Sequence, residues 1–308
     1  MRRLVLRRLA LLPPTLLGAT LLVFAFLRLV PGDPAEVMLG ESAAPADVAA
    51  LRHDLGLDLP LPAQLGRFLV HLARGDLGES LAFHAPVAGV VAARYPATLE
   101  LAAAALLLAL ATALPLGAAA ALRPRSPLDR SARLLSLAGV CLPTFVWGPL
   151  LVLAFAIGLG WLPVAGRGGA AHLVLPAVTL ALGMAGILVR LTRTSMLAAL
   201  AEDHVRTARA KGASPLRVAV CHALPCALPP LAAVVALQAG ALLGGAVIVE
   251  TIFGWPGLGR LLLEAIDARD YPLVQGCVLV IAASYVAVNA AGDLLHGALD
   301  PRLRDDPS

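Results

Sequence analysis

Charged residues are scarce in this 308-residue chain, and lysine is almost absent from it. Only 14% of the residues are charged while 59% are hydrophobic, a balance that excludes an ordinary soluble globule and indicates an integral membrane protein. Of the 24 lysines and arginines one is a lysine, Lys211, which lies between Ala210 and Gly212. A phosphate-binding loop of the G-x-x-x-x-G-K-[S/T] type is therefore missing, and any ATP that drives this protein must be bound by another chain.

Catalytic and metal-binding patterns are missing as well. The four cysteines form neither a C-x-x-C pair nor a disulfide framework. The seven histidines show no H-E-x-x-H motif and no other metal-ligand spacing, and Glu100 has no identifiable partner. These absences argue against a membrane-embedded enzyme, and we expect no resident metal, no cofactor and no nucleic-acid partner.

Long apolar runs are the main feature that the chain does have. The first, residues 9–30, is long enough to cross ~30 Å of hydrocarbon, and it lacks the short core and cleavage site of a signal peptide. Further runs follow at 97–122, 134–157, 172–189, 226–249 and 273–297. The pattern predicts an all-α integral membrane protein with six transmembrane helices. Small residues in these runs would allow close helix packing: Gly117, Ala118, Gly240, Gly244 and Gly245.

The segment between the first two spans, residues 31–96, is polar and is predicted to be a small helical insertion. Helices are expected at 46–55, closed by Gly56, and at 63–73, closed by Gly75. The second of these helices places four apolar side chains on one face: Leu65, Phe68, Leu69 and Leu72.

The distribution of arginine and lysine predicts how the chain is oriented. Sixteen of these cations fall on one side of the predicted spans and eight on the other, and the more basic side is the cytosol by the positive-inside rule. We therefore expect an inner-membrane, multi-pass protein with both termini cytosolic. The predicted cytosolic segments are 1–8, 123–133, 190–225 and 298–308, and the outward ones are 31–96, 158–171 and 250–272.

Residues 201–225 form a polar, basic island between two apolar runs. Six cations lie in it or just before it: Arg190, Arg193, Arg206, Arg209, Lys211 and Arg217. Each would cost about 2.5–3.5 kcal/mol at a bilayer centre. Gly212 is a helix C-terminal stop with an expected positive φ, and Ser214 and Pro215 are an N-cap followed by proline at the first helical position. The island is thus predicted to be two short helices that protrude from the membrane and dock on a soluble partner.

The amino-acid sequence of residues 201–225 resembles that of a known protein family. The pattern D-H-V-R-T-A-R-A-K-G, followed after a short gap by H-A-L-P, resembles the coupling loop of ABC importer permeases, in the branch that serves peptides and nickel. In that family the two short helices sit in a cleft on the cytosolic ATPase and pass its motion to the membrane. The family usually has an aromatic residue where this chain has His204. The resemblance and the charge of Arg209 predict an ATPase-docking coupling loop made by Asp203, Arg206, Ala208, Arg209, Ala210, Lys211, Gly212, His222 and Pro225.

The resemblance extends over essentially the whole chain, in the expected order. LRLVPGDPAE, GLDLPLPAQ, RGDLGES, YPATLEL, GWLP and VETIFGWPGLGRLLLEAIDARDYP all look like the peptide and nickel importer permeases. This likeness implies a type I ABC importer permease fold. It also implies a second homologous permease, two cytosolic ATPase subunits or domains that bind ATP and Mg, and an extracytoplasmic substrate-binding protein as partners in the lipid bilayer.

The outward loop 250–272 carries aromatic residues and a short amphipathic helix predicted at 261–268. Two interpretations remain open and are compatible: an interfacial helix anchored by its aromatic rings, or a surface that the binding protein touches. The candidate binding-protein-facing residues are Phe253, Trp255, Pro256, Gly257, Arg260, Asp270 and Tyr271.

The resemblance implies uptake of di- or oligopeptides into the cytosol, with a nickel complex or glutathione as alternative solutes. An ion-coupled secondary transporter is the alternative mechanism. Such carriers place ionisable side chains near mid-membrane, and the middles of the predicted spans contain none. The resemblance implies that the binding protein, rather than this chain, makes the main choice of solute.

Overall fold

Most of the chain is helical in the computed structural model, which describes residues 2–29, 35–36, 43–54 and 56–299. The helices are α1 (Arg2–Leu29), α2 (Pro45–Asp54), α3 (Leu61–Ala73), α4 (Val87–Leu122), α5 (Pro127–Cys141), α6 (Thr144–Leu151), α7 (Ala170–Leu200), α8 (Asp203–Ala210), α9 (Pro215–Val218), α10 (Leu224–Ile252), α11 (Leu258–Asp267) and α12 (Tyr271–Leu299). Two π-helical segments lie at Val152–Gly158 and Ala219–Ala223. A two-residue antiparallel pair joins β1 (Glu79–Ser80) to β2 (Ala85–Pro86).

The chain divides into two compact units. The first contains Leu99–Trp255 with the described parts of Met1–Arg8 and Tyr285–Ser308, and the second contains Leu9–Thr98 and Pro256–Ser284. Helices α1, α4 and α12 belong in part to each unit.

Among the described residues, four helices are long and apolar enough to cross a membrane. They are Val87–Leu122, Ala170–Leu200, Pro215–Gly244 and Tyr271–Gly292, and a bent pair of helices makes a fifth candidate if it counts as one span. The predicted first span, 9–30, corresponds to α1, in which Pro13–Arg28 is an apolar helical stretch; residue 30 lies outside the described residues. Length and composition thus support four or five spans in this part of the chain, against six predicted from the sequence.

The predicted straight span 134–157 is broken at Pro143. Helix α5 ends at Cys141 and α6 begins at Thr144, and the two are bent by 109°. Proline disfavours helical backbone in the residue before it, and Leu142 is accordingly extended, with φ −95° and ψ 119°. The hydropathy pattern alone hid this break because both sides of it are apolar.

In the first unit, α5 and α10 both pack on α7, and small residues set the separation between α5 and α7. A Cβ added to Gly139 would lie 2.5 Å from the Leu182 carbonyl oxygen, and one added to Gly186 would lie 2.7 Å from that of Ser136. The Ser136 hydroxyl also donates a hydrogen bond to the Gly186 carbonyl. Backbones can approach this closely only where side chains are absent.

The predicted close packing holds at two of the small residues. A Cβ added to Gly117 would lie 2.6 Å from Thr192 Cβ, and one added to Gly240 would lie 2.8 Å from Asn289 Nδ2. At Gly244 the prediction is wrong, because no heavy atom lies within 4 Å of the position of an added Cβ.

The second unit has its own apolar core. Val87 and Val91, from the start of α4, are buried against residues of α11 and α12 such as Leu261 and Leu273. The Leu258 backbone N–H, at the start of α11, donates to Thr98 Oγ1 over 2.7 Å. This contact satisfies one of the free backbone donors of a helix N-terminus and fixes α11 on α4.

The two helices predicted in the insertion are present as α2 and α3. Gly56 and Gly75 follow them with φ of +64° and +76°, and the four apolar residues of the predicted α3 face are all half-buried. Phe68 of this face stacks on Phe24 of α1, with ring centroids 6.3 Å apart. The last residue of the predicted helix 46–55 lies outside the described residues.

Candidate coupling surface

Helix α8 has one buried face and one charged, exposed face. Val205 is fully buried and Ala208 is 9% exposed, three residues apart on the same side of the helix. Most predicted docking residues of this helix are exposed: Asp203, Arg206, Arg209, Ala210 and Lys211. Ala208 is the exception and anchors the helix instead.

A Schellman turn ends α8 at Gly212. The Gly212 N–H donates to the Arg209 carbonyl over 2.9 Å, and the Ala213 N–H donates to the Ala208 carbonyl over 3.1 Å. This pair of bonds defines the motif, whose central residue adopts left-handed backbone. Gly212 has φ of +84°, which confirms the positive φ expected from the sequence.

The second short helix begins as the sequence predicts. Ser214 Oγ accepts a hydrogen bond from the Arg217 N–H over 3.4 Å, and Pro215 occupies the first turn. Val218 is buried, whereas Leu216 is 70% exposed. An exposed leucine beside exposed cations gives the surface an apolar contact point as well as charge.

The predicted loop 190–225 is more helical than expected. Helix α7 continues to Leu200, and α9 runs through the π-helical segment into α10 without a break. Irregular backbone is confined to residues 201–202 and 211–214. The predicted docking residue His222 is half-buried inside the π-helical segment, and Pro225 is exposed in the first turn of α10.

A buried ion pair, which the sequence reading missed, ties the base of this surface to the predicted segment 123–133. Asp129 has no exposed side-chain surface and accepts hydrogen bonds from Arg193 Nε at 2.5 Å and Nη2 at 3.1 Å. The Arg125 backbone N–H donates to the same carboxylate over 2.9 Å. These bonds, with that from Arg193 foremost, lower the pKa of Asp129 below its ordinary value.

His204 connects α8 to the start of α10. Its Nδ1 lies 3.1 Å from Glu202 Oε2, and its Nε2 lies 3.7 Å from Cys226 Sγ. His204 is therefore held on two sides by polar groups. This arrangement helps to fix α8 against α10.

Most of the residues predicted to face the binding protein are buried in this structure, and the others are half-buried. Phe253 is 1% exposed, and Trp255 and Asp270 have no exposed surface. Gly257 is also buried, while Pro256, Arg260 and Tyr271 are half-buried. The aromatic side chains Phe253 and Trp255 fill the interior, so neither ring serves here as an exposed contact.

Asp270 has a structural role that its burial explains. Its carboxylate accepts hydrogen bonds from the Ser80 hydroxyl at 2.5 Å, the Ala82 N–H at 3.0 Å and the Leu273 N–H at 3.0 Å. It thus caps α12 and fastens the β1–β2 turn to that helix. A buried carboxylate with three donors is well satisfied.

Glu100, for which the sequence offered no partner, forms an ion pair with Arg167 of the loop before α7. Arg167 Nε lies 3.1 Å from Glu100 Oε2, and the guanidinium lies 5.6 Å from the centre of the Trp255 ring. Because both charged side chains are about two-fifths exposed, this pair shows no feature of a catalytic group.

The described residues contain no group of three or more His, Cys, Asp or Glu side chains that could hold a metal ion. The first unit offers an ordered, basic surface at 201–225 with exposed cations, which we call the coupling surface. Its exposed cations and apolar Leu216 suit contact with another protein.

Family comparisons cover nearly the whole chain. Residues 113–305 match the family described as "Binding-protein-dependent transport system inner membrane component". Residues 1–102 match the family described as "Binding-prot-dependent transport system membrane comp, N-term". The coupling surface lies inside the first of these matches.

Curated relatives match over almost their full length. The chain is 44% identical over 327 residues to the Di/tripeptide transport system permease protein DppB of Pseudomonas aeruginosa, with 97% of each chain covered. It is 42% identical over 301 residues to the Glutathione transport system permease protein GsiC of Salmonella paratyphi A, covering 97% of this chain and 98% of the relative. It is 40% identical over 336 residues to the Dipeptide transport system permease protein DppB of Escherichia coli K12, with 99% of each covered.

A solved structure shares the fold. A chain of the MetNI methionine ABC transporter, in an inward-facing conformation, aligns with a TM-score of 0.56 at 20% identity. The alignment covers 68% of this chain and 96% of that chain. At this identity the likeness supports the architecture alone.

Proposed function

Since the chain belongs to the family of inner-membrane components of binding-protein-dependent transport systems, we propose that it moves di- or oligopeptides into the cytosol at the expense of ATP bound elsewhere. Its place as a peptide-type ABC importer permease follows from the family and from relatives at 40–44% identity. We propose a peptide as the transported solute because relatives named for di- and tripeptides and for glutathione match this chain almost equally well.

The observation that carries the coupling part of the proposal is the fixed geometry of the coupling surface. A loop that merely kept cations in the cytosol would need no buried anchors. Here Val205 and Ala208 are buried and the Schellman turn fixes the direction of α8. We infer that this surface receives the motion of a cytosolic ATPase.

The proposed assembly has four kinds of component. This chain pairs with a second, homologous permease, two cytosolic ATPase subunits or domains bind ATP and Mg, and an extracytoplasmic binding protein delivers the solute. We propose that the chain holds no cofactor of its own. The family description, with its reference to a binding protein, supports this arrangement.

Reconstitution tests the proposal directly. The chain is placed in proteoliposomes with its partner permease, ATPases and binding protein, and uptake of labelled Ala-Phe, glutathione and Ni²⁺ is compared. We expect ATP-dependent uptake of Ala-Phe that requires the binding protein and is unaffected by a proton ionophore. Uptake that collapses with the ionophore but persists without ATP would instead establish an ion-coupled carrier.

Six membrane crossings with both termini in the cytosol are part of the proposal. The test begins with a chain whose four free cysteines, three of them exposed, are replaced by alanine. A single cysteine is then introduced as Ala49→Cys, on the exposed side of α2, or as Ser308→Cys. An impermeant maleimide added to spheroplasts is expected to label position 49 and not position 308; the reverse pattern would overturn the topology.

A further inference from the structure

The second unit contains a cavity with a mixed polar and apolar lining. Its volume is about 450 Å³, and it is bounded by the end of α1, by α3, by the segment that leads into β1, and by the start of α12. Ligand sites for small molecules span roughly 300–1,000 Å³. The lining residues that bear on its chemistry are Arg28, Gln64, Phe68, Glu79, Tyr271 and Gln275.

The Gln275 side chain lies in the cavity wall, and its amide forms no hydrogen bond with a described residue. The residue as a whole is 9% exposed, but its amide is not among the fully buried polar groups without a partner, so it faces the open space of the cavity. A side-chain amide offers two donors and an acceptor. A ligand in the cavity can therefore bond to it directly.

Arg28 is a half-buried cation whose contacts among the described residues are all with neutral groups. Its Nε and Nη2 donate to Gln64 Oε1 over 2.9 and 2.8 Å, and its Nη1 donates to the Phe24 carbonyl over 3.2 Å. The guanidinium also stacks 3.4 Å from the centre of the Phe24 ring. No carboxylate of the described residues forms an ion pair with it, although cations withdrawn from water are normally paired.

The orientation of Arg28 is fixed before any ligand arrives. Gln64 Nε2 donates to the Leu57 and Leu59 carbonyls over 3.2 and 2.9 Å, which directs Gln64 Oε1 toward the guanidinium. A donor held in this way loses little freedom when it binds an anion. The arrangement therefore suits a carboxylate, which accepts guanidinium hydrogen bonds well.

Taken together, these groups complement a short peptide. We propose that the cavity binds a di- or tripeptide, with the C-terminal carboxylate at Arg28 and the peptide bond at the Gln275 amide. Phe68 and Tyr271 provide walls for an apolar side chain, and the exposed carboxylate of Glu79 is available to the free amino group. This inference rests on the proposed peptide function and adds a second peptide-binding site, on the permease itself.

The test uses the full chain in lipid nanodiscs, without any binding protein. Binding of labelled Ala-Phe is measured by equilibrium dialysis beside the same dipeptide with an amidated C-terminus. We expect saturable binding of Ala-Phe, and binding of the amide weaker by about tenfold or more, because the charged acceptor for Arg28 is lost. The absence of saturable Ala-Phe binding, or equal binding of the amide, would overturn the proposal.

Variants separate a binding role from a structural one. Gln275→Leu removes no hydrogen bond within the described chain, so its melting temperature should equal or exceed that of the wild type while Ala-Phe binding falls about tenfold. Arg28→Gln is expected to weaken binding similarly. Arg74→Gln, at the exposed C-terminus of α3 and outside the cavity, serves as the matched control and should bind normally. Unchanged Ala-Phe binding by Gln275→Leu contradicts the site.

The same preparation distinguishes this inference from the proposed function. If the reconstituted importer takes up Ala-Phe but the chain alone does not bind it, the cavity proposal is wrong and the permease function stands. If the complete assembly fails to take up any peptide, the proposed function is itself wrong. Both results are obtained with one protein batch and one labelled dipeptide.

Discussion

Replacing Gly212 with valine tests whether the direction of α8 matters for transport. The residue has φ of +84°, and left-handed backbone costs an L-residue about 1–2 kcal/mol, with β-branched side chains at the unfavourable end. An added Cβ would have no heavy atom within 4 Å, so the perturbation is backbone strain without a steric clash. A strain of this size shifts the balance between the native turn and other loop conformations by about 5- to 30-fold.

The assay measures substrate-stimulated ATP hydrolysis and uptake by the reconstituted complex, after membrane insertion of the variant has been verified. We expect Gly212→Val to insert normally and to lose both activities together, because α8 no longer points at its partner. Gly212→Asn is expected to retain most activity, since asparagine tolerates left-handed backbone better than other side chains.

The chain contains a closely matched control at the end of α3. Gly75 has φ of +76° and open space around an added Cβ. The Gly75 and Asp76 N–H groups bond to the Leu72 and His71 carbonyls, each over 3.0 Å, which is the same Schellman pattern. Gly75→Val therefore carries similar strain in the second unit, which does not contain the coupling surface, and its coupling should be normal. Wild-type transport by Gly212→Val, or an equal loss in Gly75→Val, would refute the reasoning.

Two further predictions concern charged residues of the first unit. Arg209→Glu is expected to reduce ATPase docking about three- to tenfold, because the charge of an exposed cation is reversed at an interface. Arg209→Lys should retain normal docking. Equal activity of both variants in a pull-down and uptake assay would restrict Arg209 to a topological role. Asp129→Asn is expected to lower the melting temperature at pH 7, and its effect should not add to that of Arg193→Gln because the two remove one interaction. The carboxylate has a lowered pKa in the folded chain, so its stabilisation is complete above the ordinary value of about 3.9 and is lost as the pH falls through the folded value. A melting-temperature difference between wild type and Asp129→Asn that stays constant at pH 7, 4 and 3 would contradict this account.

Local signals predicted the coupling surface well. Gly212, Ser214 and Pro215 each act within a few residues of their own position, through a left-handed turn, a cap and a fixed φ. The structure accordingly contains both short helices and the positive φ at Gly212. The same reasoning located α2 and α3, because Gly56 and Gly75 close them in the same way.

Long-range contacts could not be predicted from these patterns. Asp129 and Arg193 are 64 positions apart, and a lone aspartate beside arginines in a polar loop has many possible partners. The burial of Phe253 and Trp255 was missed for a related reason, since an aromatic ring suits a membrane interface and a protein interior equally well. The bend at Pro143 could have been predicted from the sequence, but only if this one proline had been given more weight than the apolar run around it.

The absence of a break between α9 and α10 has a mechanical consequence. The helical stretch runs from Pro215 through the π-helical segment to Ile252, with 4, 5 and 29 residues in its three parts, and is about 57 Å long at 1.5 Å per residue. Hydrocarbon accounts for only ~30 Å of such a length, so the stretch is long enough to extend well beyond it. Pro229 and Pro230 lie inside α10, and prolines and π-helical turns are the usual places where a long helix bends. A sideways push on Pro215 would therefore be taken up by bending at these positions before it reached the far end of α10.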